Sequence, residues 1–208
     1  MRTLTLILLL VFSNLAIAIS ADDISAHLAL RLEKTPVLRA EFVQTKTLAA
    51  FKKPVQSRGS FVYSRSDGVL WNIEKPFKLS YVIQEQRISE VGEDGQVLSR
   101  TVQQNPAMAQ IGQILRALLG AQLGPLREWF EVSAEGDDRR WTMTLTPKSS
   151  SVSQAIQRIT LSGGQTVDGL TIQEPGGDQT QLDFRKTVER KAVLPEERRL
   201  FEAGRGAK

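Results

Sequence analysis

The chain has 208 residues, a formal net charge of +4 and no cysteine. This length suits a single domain once any leader is removed. A chain without cysteine has no disulfide framework, thiol nucleophile, thiolate metal site or lipid-modified cysteine. The aromatic residues lie in alternating apolar patterns and are not interleaved with basic runs. The positive charge is therefore expected to attract anionic head groups or an acidic partner and not nucleic acid.

The N-terminus predicts a secretory signal peptide over residues 1–20. A mostly apolar stretch at 4–19 ends in small residues, with plausible cleavage after Ala18 or Ser20. An uncleaved membrane anchor is the alternative, although the stretch is short for a span and Ser13 interrupts it. A disulfide-free exported chain of this size favours the bacterial periplasm.

The first predicted element is a helix over residues 23–34. Asp23 is the expected N-cap, Ile24 and Leu28 recur at helical spacing, and Pro36 closes the segment. Four strands follow at 40–51, 59–65, 68–76 and 77–84, and Ser66–Gly68 forms a hairpin turn.

A second helix is predicted over residues 105–119. Pro106 stands at its first position and Gly120 just beyond its end. An apolar stripe runs along it, as expected for a helix that covers an apolar surface. Residues 93–102 before it predict a turn and a weaker strand, and residues 124–130 after it suggest a further short helix.

The remainder of the chain predicts more strands. A hairpin spans 129–148, and strands at 155–161, 169–174 and 180–188 continue the meander. Residues 191–208 are interpreted as a polar C-terminal tail beyond one domain at 21–190. Sequential strands joined by short turns predict an antiparallel sheet.

Enzyme signals are nearly absent from the sequence. The only histidine, His27, is interpreted as a surface or packing residue. No zinc-ligand pair, nucleophile elbow or phosphate-binding glycine loop is present. The sequence therefore predicts a protein that is not an enzyme and that needs no cofactor and no metal.

The informative feature is a mismatch between apolar strand surface and helical cover. At least six segments present an alternating apolar face, whereas only two substantial helices are available to cover them. The sheet must therefore either close over a filled core or curl around a hollow that takes an apolar ligand. The hollow interpretation makes the 105–119 helix part of a lid.

Strand alternation assigns particular residues to such a cavity, although a one-residue slip would reverse each face. The predicted lining is Phe42, Phe61, Tyr63, Trp71, Ile73, Tyr81, Trp141, Met143 and Leu145. The predicted lid residues are Ile111, Leu115 and Leu118.

Four segments, in order and suitably spaced, resemble the outer-membrane lipoprotein carrier family, LolA. "EFVQTKT" at 41–47 resembles its F-x-Q strand, and "GSFVYSRSDGVLWNIEKP" at 59–76 resembles its central hairpin. "MTLTPKSS" at 143–150 resembles its L-x-P-K strand end, and 169–184 resembles its late hairpin. Together they cover most of the chain after the leader.

The resemblance implies a mainly β (α+β) fold, a curled antiparallel incomplete β-barrel closed by α-helices. It implies a monomeric periplasmic carrier for lipoprotein acyl chains or other lipids, loaded by an inner-membrane transporter and unloaded to an outer-membrane acceptor. The family's lid-latching arginine corresponds to Arg65, its hairpin tryptophan to Trp71 and its closing proline to Pro76. Its L-T-P-K strand end corresponds to residues 145–148.

The chain departs from the family pattern at several points. Ser66 replaces the usual proline, residues 85–102 lack the usual aromatics, and a charged tail replaces the C-terminal β extension. These departures leave the cargo open. The alternatives are an envelope protein-interaction module with a filled core and, less favoured, an envelope lipid hydrolase.

Overall fold

The computed structural model describes residues 20–84, 87–92, 97–101, 124–137 and 139–205. Its helices are α1 (Ala21–Lys34), α2 (Ser150–Ser153) and α3 (Pro195–Gly204), with short 3-10 helices at Pro125–Glu128 and Pro175–Gly177. Its strands are β1 (Val37–Thr47), β2 (Val55–Ser64), β3 (Gly68–Lys75), β4 (Leu79–Ile83), β5 (Arg87–Gly92), β6 (Val97–Thr101), β7 (Phe130–Gly136), β8 (Trp141–Pro147), β9 (Arg158–Gly163), β10 (Val167–Gln173) and β11 (Gln179–Arg190).

All eleven strands form one antiparallel sheet in the order β6-β5-β4-β3-β2-β1-β11-β10-β9-β8-β7. The first strand is thus central, and the chain builds one half of the sheet outward before it builds the other half. The edges β6 and β7 do not pair with each other, so the sheet is open. The predicted mainly β fold on an open antiparallel sheet is confirmed.

The two faces of the sheet carry different apolar clusters. We call the face with Phe42, Phe61 and Trp71 the inner face, and the face with Val62 and Leu70 the outer face. The alternation of side chains along each strand separates these residues. The inner cluster draws on strands from both halves of the sheet, whereas the outer cluster is confined to the β1–β5 half.

Helix α1 packs on the inner face. Ile24 and Leu28 are buried in the inner cluster, and the helix contacts β7 at one edge of the sheet. Because α1 leads directly into the central strand β1, it crosses the inner face of the β11–β7 half. The predicted N-cap was wrong: Ser20 accepts the N–H of Asp23 at 3.1 Å, and the Asp23 carboxylate accepts the Ser20 N–H in return.

Helix α3 packs on the outer face, in the segment predicted as a polar tail. Phe201 is 1% exposed and lies in the outer cluster against β3, β4 and β5. The description of 191–208 as a polar tail alone was therefore wrong. Its charged residues surround a helix whose few apolar side chains pack on the outer cluster in the β1–β5 half of the sheet.

The predicted signal peptide and second helix lie outside the described residues. Within the described ranges, no helix has the length and apolar character required to span a bilayer. Strand β5 belongs to one half of the sheet and strands β9–β11 to the other. Strand β5 was not predicted, because its residues carry no aromatic alternation.

Candidate functional site

The nine predicted lining residues come together on the inner face. Seven are buried in the inner cluster, and Ile73 and Tyr81 are partly buried and pack against it. All nine lie on the same face of the sheet, and no register slip has reversed any of them. Whether they line a lipid cavity stays a prediction.

Aromatic rings form the centre of this face. Phe42 stacks on Trp71 with ring centroids 4.0 Å apart, and Phe61 meets Phe184 edge-to-face at 5.2 Å. Phe61 also pairs directly across the β2–β3 ladder with Trp71. Such cross-strand aromatic contacts stabilise a sheet beyond the area that they bury.

Gly59 explains how two rings from non-adjacent strands can stack. Phe42 on β1 and Trp71 on β3 are separated by β2, where Gly59 pairs with Phe42 on one side and with Ile73 on the other. A Cβ at Gly59 would lie 1.8 Å from the backbone oxygen of Asn72. The absent side chain therefore allows β2 and β3 to lie close together at this point, between the strands that carry the two stacked rings.

The β7–β11 half supplies the second part of the inner face. Met143 and Leu145 of β8 are 2% and 0% exposed and lie beside Leu161 and Ile159 of β9. Trp141 is also buried, and its indole N–H donates to the Gly164 carbonyl at 2.7 Å. This hydrogen bond satisfies the ring's polar atom and leaves the remainder of the indole apolar.

Sequence reasoning missed part of the inner cluster. The strand residues of this cluster that were not among the nine are Leu38, Ala40, Val69, Ile83, Ile88, Phe130, Ile159, Leu161, Leu170, Leu182 and Phe184. They are mostly aliphatic, and the selection had favoured aromatic positions. The period-2 pattern of each strand would have found them, since each shares its parity with a chosen or buried neighbour on that strand or across the ladder.

Arg65 lies at the β2–β3 turn, exposed, with its backbone N–H donating to the Pro36 carbonyl at 3.1 Å. In the same turn Asp67 accepts a 2.7 Å hydrogen bond from Ser64 and forms an ion pair with Arg205. The turn is thus connected to the end of α3. The latching role of Arg65 stays a prediction.

The three lid residues, Ile111, Leu115 and Leu118, lie outside the described residues. His27 is exposed on α1. In the part of the chain that the structure describes, no cluster of three or more His, Cys, Asp or Glu side chains is placed to hold a metal ion.

Titration supports a structural use of the charged groups near this site. Burial alone would raise the pKa of Asp67, but hydrogen bonds from Ser64 and Ser66 and the charge of Arg205 outweigh it, so its pKa is lowered. The carboxylate is therefore ionised at neutral pH and suited to an ion pair, not to general acid catalysis.

The described residues form an open antiparallel β-sheet with a broad apolar cluster on its inner face, against which α1 packs. The sequence model of the family described as "Outer membrane lipoprotein carrier protein LolA" matches residues 33–199. An "Outer-membrane lipoprotein carrier protein" of Dechloromonas aromatica (strain RCB) is 30% identical over 166 residues, covering 79% of this chain and 76% of that protein. The chain therefore belongs to the LolA family.

Solved structures with low sequence identity were also found. A LolA superfamily protein from Nitrosomonas europaea aligns with a TM-score of 0.49 and 12% identity, over 86% of this chain and 97% of that chain. A DUF1329 family protein from Desulfovibrio piger aligns with a TM-score of 0.48 and 11% identity, over 82% and 94% of the two chains. The family assignment depends on the sequence matches and not on these alignments.

Proposed function

We propose that the protein is a periplasmic carrier that binds the acyl chains of lipoproteins, or of other lipids, against the inner face. The observation that supports this most directly is the convergence of strands from both halves on one apolar surface, in a chain of the LolA family. The relative in Dechloromonas aromatica bears the name of a lipoprotein carrier. The proposal includes no catalytic step.

Such a site can bind an acyl chain tightly without a charged anchor. Each buried methylene contributes about 0.8 kcal/mol, so one long acyl chain gains on the order of 10 kcal/mol before ordering costs. In this proposal the cargo comes from an inner-membrane transporter and leaves to an outer-membrane acceptor, and the carrier travels as a monomer. In the same proposal the segment 105–119, which the sequence predicts to be a helix, lifts for cargo entry, and Arg65 holds it closed.

Tyr81 offers the sharpest test because it is only partly buried and tolerates change better than the fully buried rings. Tyr81→Asp should weaken binding of a fluorescent fatty acid at least tenfold, because a carboxylate on the inner face is costly beside hydrocarbon. Ser80→Asp on the same strand is the matched control, since Ser80 lies on the outer face. Circular dichroism should show both variants folded, and undiminished binding by folded Tyr81→Asp would contradict the site.

The packing of the inner face gives one alternative specific support. The Phe42–Trp71 stack and the burial of seven of the nine lining residues are also what a filled core would show. In that case the protein is an envelope interaction module. Mass spectrometry of lipids extracted from the purified protein separates the two, because a module with a filled core yields no bound lipid.

A further inference from the structure

Two turns project from the same end of the sheet. Strand β2 begins at Val55, opposite Lys46, and β3 ends at Lys75, opposite Arg58. The β1–β2 turn (residues 48–54) and the β3–β4 turn (residues 76–78) are therefore neighbours at that end. We call residues 48–55 and 75–78 together the basic-aromatic end.

Apolar side chains are exposed at both turns. Phe51 is 65% exposed, Phe77 63% and Val55 56%. Among the described residues, the other exposed large apolar side chains are Leu30 at 61% and Leu194 at 45%. Scattered single apolar side chains on a surface are ordinary, but three at one end of a sheet indicate a contact surface.

The charges around these side chains are predominantly positive. Lys52 and Lys53 follow Phe51 directly, and Lys75 and Lys78 flank the Pro76-Phe77 pair. Acidic groups at the same end are already engaged or outnumbered. Glu174 lies 3.6 Å from Lys46, and Asp178 accepts the Ala49 N–H at 2.8 Å. Glu74 is an exposed acid beside four lysines.

The β1–β2 turn is also held in place by hydrogen bonds within the protein itself. The Phe51 N–H donates to the Leu48 carbonyl at 2.9 Å, and the Asp178 carboxylate fixes the Ala49 N–H. Val55 lies three positions before Arg58, so this hairpin extends about 10 Å beyond the end of β3. That reach equals the depth to which apolar side chains enter the head-group region of a bilayer.

We propose that the basic-aromatic end docks the protein on anionic phospholipid bilayers. Phe51 and Phe77 enter the head-group layer while their neighbouring lysines contact lipid phosphates. The two rings lie on separate turns, which a fluid head-group layer accommodates more readily than a rigid protein surface does. The proposal goes beyond carrying: it concerns where the protein meets a membrane, whatever the inner face binds.

The test is flotation of the exported, purified protein with lipoprotein-free vesicles. Wild-type protein should float with phosphatidylglycerol–phosphatidylethanolamine vesicles and not with phosphatidylcholine vesicles, and high salt should weaken the binding. Phe51→Ser with Phe77→Ser should reduce the partition coefficient at least tenfold. Lys52→Glu with Lys53→Glu should reduce it by a similar factor, since each basic residue near an anionic surface is worth about fivefold.

Matched controls lie elsewhere on the molecule. Leu30→Ser removes a side chain that is 61% exposed on α1, and Lys191→Glu with Arg199→Glu reverses two exposed charges outside the basic-aromatic end. Both controls should retain wild-type partition to within about a factor of two to five. All these positions are exposed, so the variants should fold.

Three outcomes would overturn the proposal. Wild-type protein that does not float with anionic vesicles has no such membrane site. Equal loss in the test and control variants would mean that net charge alone drives binding. Binding that the lysines control but the phenylalanines do not would mean that the protein is attracted to the anionic surface without insertion of its aromatic rings. None of these results depends on fatty-acid binding, so the proposed carrier function is tested separately.

Discussion

The two faces of the sheet are covered in different ways. On the inner face α1 contributes apolar side chains to a large aromatic cluster, and the ion pair of Asp22 with Arg127 beside it is exposed. On the outer face α3 contributes mainly Phe201 and is fixed by directional contacts. Ser89 donates to the Gly204 carbonyl at 2.9 Å, and Arg87 donates to the Arg205 carbonyl at 2.5 Å.

This difference indicates which cover can be exchanged. Apolar contacts are non-directional, so a hydrocarbon chain can replace a helix on the inner face at little cost. The hydrogen bonds and ion pairs of α3 have no equivalent in a lipid, and breaking them leaves buried polar groups without partners. We therefore expect the outer face to act as the rigid back of the sheet and the inner face as its working surface.

The largest expected effect comes from removing the apolar anchor of α3. Phe201→Ala should lower the free energy of unfolding by about 4 kcal/mol, because it removes a fully buried ring and leaves a cavity. Urea denaturation measures this change. The folded fraction should bind fatty acid normally, since Phe201 faces the outer side.

Leu200→Ala is the control for this variant. Leu200 is only partly buried beside the outer cluster, so Leu200→Ala should lower the free energy of unfolding much less than Phe201→Ala does. If Phe201→Ala lost fatty-acid binding while still folded, the separation of the two faces would be wrong.

A smaller effect should follow from breaking the ion pair beneath α3. Arg39 donates from Nε and Nη2 to the Glu197 carboxylate at 2.6 Å and 2.5 Å, and the two side chains are 16% and 9% exposed. Arg39→Ala should lower the free energy of unfolding by about 3 kcal/mol, because it leaves a largely buried carboxylate without its cation. Urea denaturation measures this change.

An exposed pair on the same central strands provides the matched comparison. Lys186 and Glu41 lie 2.8 Å apart, with side chains 74% and 54% exposed. Lys186→Ala should change stability by less than about 1 kcal/mol because water screens the pair. Equal costs for the two substitutions would show that burial does not decide the strength of these pairs.

The residues of the inner face could be predicted because they recur at every second position of their strands, which the sequence shows directly. Phe61 and Tyr63, like Met143 and Leu145, stand two residues apart and therefore share a face in any extended strand, and the register decides only which face that is. The outer cover could not be predicted as easily. Phe201 stands among charged residues, and only its contact with the sheet distinguishes a packed helix from a solvated one.

Two other features depended on information beyond local pattern. Val62, Leu70 and Val82 are apolar on the face opposite the aromatics, which indicates that both faces are covered, but the cover itself lies more than a hundred residues away in the chain. The bulge between Arg58 and Gly59 arises from strand pairing. No sequence spacing fixes such a bulge in advance.

The Gly59 position tests whether the aromatic stack depends on an absent side chain. Gly59→Ala should destabilise the protein by about 2 kcal/mol, because the new methyl group meets the Asn72 backbone and the strands must separate. Urea denaturation measures the cost, and near-ultraviolet circular dichroism should show a changed tryptophan environment.

Gly176→Ala serves as the control for space at a glycine, since no atom lies within 4 Å of the position that an added methyl group would take there. Its positive φ of 85° still adds backbone strain, so a small loss of stability is expected. The tryptophan signal should change only in Gly59→Ala. An unchanged tryptophan signal in Gly59→Ala would show that the aromatic stack does not depend on the absence of a side chain at Gly59.

The smallest effect concerns pH and the far end of α3. The pKa of Asp67 is lowered because, against the opposing effect of burial, the hydrogen bonds from Ser64 and Ser66 and the charge of Arg205 favour the carboxylate, so its ionised form contributes stability at neutral pH. That contribution is complete above the unfolded-state pKa of about 3.9 and is lost as pH falls through the lower folded-state value. Asp67→Asn should therefore cost about 1 kcal/mol at pH 7 and progressively less in acid. Urea midpoints of the two proteins measured from pH 7 downward should converge, because protonation of Asp67 weakens both the ion pair and the hydrogen bonds that its carboxylate accepts. A constant difference across that range would mean that ionisation of Asp67 does not contribute to stability.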